Sequence, residues 1–294
     1  MSWKSNAATV IRRTLENLER KHLELAAAGL AYYFLMAFFP GLVLLTAVIA
    51  YLPVQNGMQV ASSFLGHIIP QQGTSLMEEL LATVSSHRSG LLSIGLISTL
   101  WLTSKGVKGV IAGLDMVYEV SVPRRVWTNR FIAFGLTFAV GMLLLLGVVL
   151  TLAGPLLKSL LSRVVPVESL WTSIWPYLKW AVAAFSTFAA IELLYLLAPN
   201  VPAKRRVTVP GALIAAAIWM ALAGGLGLYF RYFGAKKLDL FYGAMAAPIA
   251  LAIWLNWGAF GLLLGAEINV GIQSLRPVEK VEKEPKQAKP SSAA

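Results

Sequence analysis

WLTSKGVKGVIAGLDMVYEV, residues 101–120, closes a long apolar run and carries Lys105, Lys108, Asp115 and Glu119. Immediately upstream, residues 91–103 are free of charge, but that stretch falls short of the ~20 residues a helix needs to cross a bilayer. The helix must therefore take its charges to some membrane depth or emerge early. At about 100° per residue, Ser98, Trp101, Ser104, Lys105, Lys108, Asp115 and Glu119 share an arc of about 120°. Gly106, Gly109 and Gly113 fall on the adjoining face, where small residues let a second helix approach closely.

The rest of the chain supports a membrane setting. Of 294 residues, 57% are hydrophobic and 13% charged, against about 25% charged in soluble domains. The mean hydropathy is +0.68. The net charge is +11, but the basic residues gather between apolar runs, which reads as membrane topology rather than nucleic-acid binding. There is no cysteine, so disulfides, thiolate metal sites and cysteine nucleophiles are excluded. His22, His67 and His87 are far apart, so no metal site and no cofactor is expected.

Residues 1–24 lack the uninterrupted apolar core of a signal peptide. Within them and just beyond, Ile11, Leu15, Leu18 and Leu25 recur at helical spacing. This predicts an N-terminal amphipathic helix, either lying on the membrane surface or packed as an ordinary terminal helix. An all-α, polytopic membrane domain follows over residues 25–273. Six spans are expected at about 25–51, 90–118, 128–153, 173–198, 208–230 and 243–272. The longest connection, residues 52–89, reads as two short outer helices between the first two spans. Residues 274–294 are charged and proline-rich, the composition of a disordered tail.

With the N-terminus placed in the cytoplasm, inner segments carry sixteen Lys and Arg and outer segments six. That asymmetry predicts six spans with both termini cytoplasmic. On this topology Tyr32, Glu192 and Glu267 fall in the cytoplasmic half of the domain, with Asn256 near the middle of its helix. Two readings of the charged helix stand. In one, its lysines snorkel to the inner headgroups and the rest emerges. In the other, preferred here, Lys105, Lys108, Asp115, Glu192, Asn256, Glu267 and Tyr32 line a polar cavity open to the cytoplasm. Lys105 or Lys108 would then pair with Glu192 or Glu267. Pro40 and Pro248 are read as helix breaks.

The segments AAAGLAYYFLMAFFPGLVLL, GVKGVIAGLDMVYEV, LLAPNVPAKRRVTVPGALIAAAIW and FYGAMAAPIALAIWLNWGAFGLLLGAEIN resemble, in consistent order over about residues 8–273, the YihY/BrkB family of bacterial inner-membrane proteins. The resemblance implies a multi-pass protein of the bacterial envelope. The family was once labelled ribonuclease BN, a label now regarded as mistaken. It has been linked to serum resistance, as a virulence factor would be, and transport has been proposed for it. It brings no agreed catalytic residues. Asn256 stands where the family pattern leads one to expect an aromatic or apolar residue.

Three functions compete. A transporter or exporter would use the lysines for an anionic lipid or organic anion, or the carboxylates for an ion. A nuclease would need clustered acids or histidines, whereas the acids here are dispersed, so no enzyme is expected. A non-transporting scaffold would dock an envelope protein, or a second copy of itself, on residues 52–89 or on the Gly106, Gly109 and Gly113 face.

Overall fold

The computed structural model describes residues 3–51, 89–122, 124–152, 168–201, 207–242 and 246–275, with residues 154, 158 and 162 between the fourth and fifth helices. It contains seven helices and no strand among the described residues. They are α1 (Trp3–Arg20), α2 (Leu23–Tyr51), α3 (Ser89–Val117), α4 (Val126–Leu152), α5 (Glu168–Leu197), α6 (Val209–Tyr242) and α7 (Ala246–Gln273). The expected outer helices of residues 52–89 fall almost entirely outside the described residues, as does the tail beyond residue 275.

At 1.5 Å rise per residue, the 27 residues of α4 extend about 40 Å, more than the ~30 Å hydrocarbon core of a bilayer. By length and composition, Val126–Gly147, Ser173–Leu197 and Ile249–Gln273 are apolar enough to cross a membrane, and Leu23–Phe38 and Val209–Gly225 are shorter apolar helices. Element α6 runs to Tyr242, where hydropathy alone stops at residue 230. Arg231, Lys236, Lys237 and Asp239 end an apolar run, but they do not end a helix.

Two prolines differ from the reading as breaks. Element α2 continues helically through Pro40 to Tyr51. Pro248 sits in the first turn of α7, where its missing N–H would have had no intrahelical partner. It begins the helix rather than interrupting it. Pro176 is the proline that stands well inside α5.

The helices form a closed ring in chain order. Each of α2 to α6 packs against its successor, and α7 returns to α2. Element α3 also touches α7. A single apolar core joins all six, from Leu23, Ala27 and Leu30 through Leu114, Leu136, Tyr195 and Ala212 to Leu263 and Ala266. These residues lie where α2, α4 and α6 begin and α3, α5 and α7 end. This tied end of the ring is filled.

Element α1 is a packed helix. Its Val10 and Thr14 face Gly271 of α7, and Arg13 donates to Ser274 Oγ at 2.6 Å. Contacts further along α1 reach earlier residues of α7, so the two run antiparallel. Of the two roles open to residues 1–24, the structure shows packing on α7, with Ile11 and Leu15 still exposed.

Candidate functional site

Three polar networks cross the tied end. In the first, Glu267 of α7 is completely buried. Its Oε2 accepts from Lys21 Nζ at 2.9 Å, and its Oε1 accepts from Asn17 Nδ2 at 2.5 Å. The same ammonium donates to the Val117 carbonyl at 2.7 Å and lies 3.2 Å from Glu119, which also meets Arg20 at 2.6 Å. One lysine thus joins the ends of α1, α3 and α7. The hydrogen bond from Lys21, with the charges of Lys21 and Arg20, holds the Glu119 carboxyl below its usual range despite the opposing effect of partial burial.

The backbone around Lys21 is held in unusual geometry. His22 (φ 47°) and Glu119 (φ 51°) are non-glycine residues in the left-handed region, uncommon for an L residue. Glu119 ends α3 with paired backbone bonds, its N–H to Met116 O and the Val120 N–H to Asp115 O, the pattern usually served by glycine. Its side chain keeps the ion pairs.

In the second network Arg124, ahead of α4, donates to the carbonyls of Ala198 (2.8 Å) and Pro199 (3.0 Å) and to Asn200 Oδ1 at 3.1 Å. A cation at the carboxyl end of α5 is favoured by the helix dipole. The Asn200 N–H donates to Asp115 Oδ1 at 2.8 Å, tying α3 to the same corner.

The third network starts α6. The Thr208 hydroxyl donates to Glu192 Oε1, while Asn269 takes over the capping role a Thr at this position usually plays. Its Oδ1 accepts from the Gly211 N–H at 2.7 Å, and its Nδ2 donates to the Thr208 carbonyl at 2.9 Å. Asn269 reaches that far because the α6–α7 crossing is very close. A Cβ on Gly265 would stand 2.5 Å from the Gly211 carbonyl oxygen and 2.6 Å from the Tyr195 hydroxyl.

The residues expected to line one cavity are therefore distributed. Glu267 pairs with Lys21, Glu192 with Thr208, and Asp115 with Asn200. Neither Lys105 nor Lys108 meets a carboxylate among the described residues. Lys105 is exposed beside the exposed Trp101 ring, its Nζ 5.9 Å from the centroid. Tyr32 is exposed and stands edge-on to Tyr33. Asn256 is half-buried, and its Oδ1 has no hydrogen-bond partner among the described residues. On the small-residue face, Gly109 meets Tyr33 and Leu30, Gly113 meets Leu263 and Leu30, and Gly106 lies by Tyr33 and Phe34.

Asn17, Lys21, Arg124, Asn200, Thr208 and Asn269 escape a reading by hydropathy. Only the start of α6 carries a local signal, Thr208 followed by Pro210.

A ring of long apolar helices, tied at one end by buried polar networks, defines an all-α membrane protein. The sequence profile of the family described as Virulence factor BrkB matches residues 14–290, and this chain belongs to that family. Among relatives, it is 30% identical over 83% of its length to the ribonuclease-like protein YfkH of Bacillus subtilis (strain 168), 87% of which is covered. It is 25% identical over 92% of its length to a UPF0761 membrane protein of Vibrio vulnificus (strain YJ016), covering 85% of it. A UPF0761 membrane protein of Pseudoalteromonas atlantica is 23% identical over 91% of the chain, with 87% covered. No solved structure matches.

Proposed function

We propose that this chain is a transporter or exporter of an anionic substrate, spanning the bacterial inner membrane six times with both termini and the tied end in the cytoplasm. Sixteen of the 25 Lys and Arg residues then sit on the inner side. The observation that carries the reading is the placement of Lys105 and Lys108. They lie about 18 Å and 14 Å along α3 from its end at Val117, and neither has a carboxylate partner among the described residues. Ionisable groups at membrane depth are costly, and as a rule they serve a substrate path. Glu192 and Glu267, each held in its own network, support a non-enzymatic role.

The test is reconstitution. Vesicles containing the full chain should take up a soluble organic anion or move a labelled anionic lipid faster than protein-free vesicles. Replacing both Lys105 and Lys108 by Gln should remove that gain while the protein still elutes as one species. Unchanged flux in the folded double variant rejects the reading.

A second reading has its own observation. The tied end is packed and crossed by three hydrogen-bonded networks, as a non-transporting scaffold for an envelope protein would require. A stable complex that survives purification, with no flux, favours it.

A further inference from the structure

The stripe on α3 has a direction. Trp101, Lys105, Ala112, Met116 and Glu119 are exposed, and their spacing places them on one face of the helix. Val110, Ile111, Leu114 and Val117 are buried in the core that joins the six helices of the ring. Leu114 lies about 180° around the helix from Lys105. The charged face is therefore turned out of the ring, away from its centre, with Lys108 and Asp115 half-buried at its edge. Tyr33 of α2 borders it, partly exposed beside Gly109.

The two signs on this face are treated differently. Glu119 is neutralised by Arg20 and Lys21, and Asp115 accepts from the Asn200 N–H. The two lysines, deeper along α3, have no such partner among the described residues. What remains outward is uncompensated positive charge flanked by aromatic rings, at membrane depth. A second copy docked on this face by a two-fold axis along the membrane normal would set each lysine against its own equivalent at the same depth, so like charges would meet.

We propose that the outward face of α3 is a track for the headgroup of an anionic phospholipid, whose phosphate is held by Lys105 and Lys108 while its acyl chains stay in the surrounding hydrocarbon. Ammonium groups bind phosphate as strong charge-assisted donors. The aromatic rings of Trp101 and Tyr33 suit the border between headgroup and chain. The substrate enters sideways from the bilayer and does not pass through the filled tied end. This rests on the transport reading and deepens it.

The full chain is reconstituted into phosphatidylcholine vesicles with a trace of fluorescent phosphatidylglycerol or fluorescent phosphatidylcholine. Movement between leaflets is read by dithionite quenching, and uptake of a soluble fluorescent carboxylate is read in parallel. The wild type should accelerate phosphatidylglycerol over phosphatidylcholine. The Lys105→Gln/Lys108→Gln variant should lose about tenfold or more of that rate, Lys105→Arg/Lys108→Arg should retain most of it, and Arg12→Gln on α1 should match the wild type. If the wild type moves neither lipid but takes up the carboxylate in a lysine-dependent way, the track is wrong and the transport reading survives. If lipid moves equally well without the lysines, or if neither probe moves, the track is overturned, and in the last case the transport reading falls with it.

Discussion

At the scale of single residues, the Lys21–Glu267 pair is the sharpest feature. Both side chains are almost fully removed from solvent, 7% and 1% exposed. Removing one partner leaves a buried charge unpaired, a loss of about 3–5 kcal/mol. Lys21→Met should therefore lower the melting temperature in detergent steeply, and Lys21→Met/Glu267→Leu should recover much of it. Equal destabilisation by the single and double variants would refute the pairing. The exposed Glu119 behaves differently. Its carboxyl is held below the ordinary value, so its contribution is present above that value and disappears as pH falls through the depressed folded value. At 60% exposure that contribution is under about 1 kcal/mol. The melting-temperature gap between wild type and Glu119→Gln should be constant at neutral pH and close on acidification. A gap that widens toward low pH would contradict the sign.

At the scale of elements, close approach and facing direction decide what a substitution does. Gly211→Ala would press a methyl into the Gly265 carbonyl and the Asn269 amide, whereas a Cβ on Gly224 of the same helix meets nothing within 4 Å. Gly211→Ala should abolish monodisperse protein, and Gly224→Ala should leave it intact or raise stability by up to about 1 kcal/mol, since Gly is the poorer helix former. For α3, the absence of native cysteine allows single nitroxide labels. A label at Ala112 should be reached by oxygen dissolved in the bilayer, and one at Leu114 should be shielded from both oxygen and a water-soluble relaxing agent. Water-soluble access at Ala112 would instead return the stripe to an aqueous cavity.

At the scale of the whole molecule, the ring closes when α7, late in the chain, packs on α2 near its start. Element α1 then bridges α7 and the end of α3 through Asn17, Lys21 and Arg20. Fluorescent reporters fused to either terminus should both light up in the cytoplasm, and a reporter that works only outside would reverse the proposed orientation. Removing residues 3–20 should destabilise the ring more than losing its surface charges predicts, because Glu267 would lose Asn17 and the cover that keeps Lys21 dry.

The sequence by itself determined that this chain is helical and membrane-bound, roughly where its long helices lie, and that one of them carries charge on a single face. Those properties are local: hydropathy, 3.6-residue periodicity and the bias of Lys and Arg act over a few turns. Its errors were local too, since a charge at residue 231 ends an apolar run without ending a helix, and a proline in a first turn costs no hydrogen bond. Only the tertiary structure decided which charges meet. Lys21 and Glu267 stand 246 positions apart, and Asn269 bonds the carbonyl of Thr208, 61 positions earlier, just ahead of α6. Only the ring decided which side of α3 is the inside. A helical face has no direction until its neighbours pack against it, and the burial of Leu114 in the core that joins the six helices turns Lys105 outward.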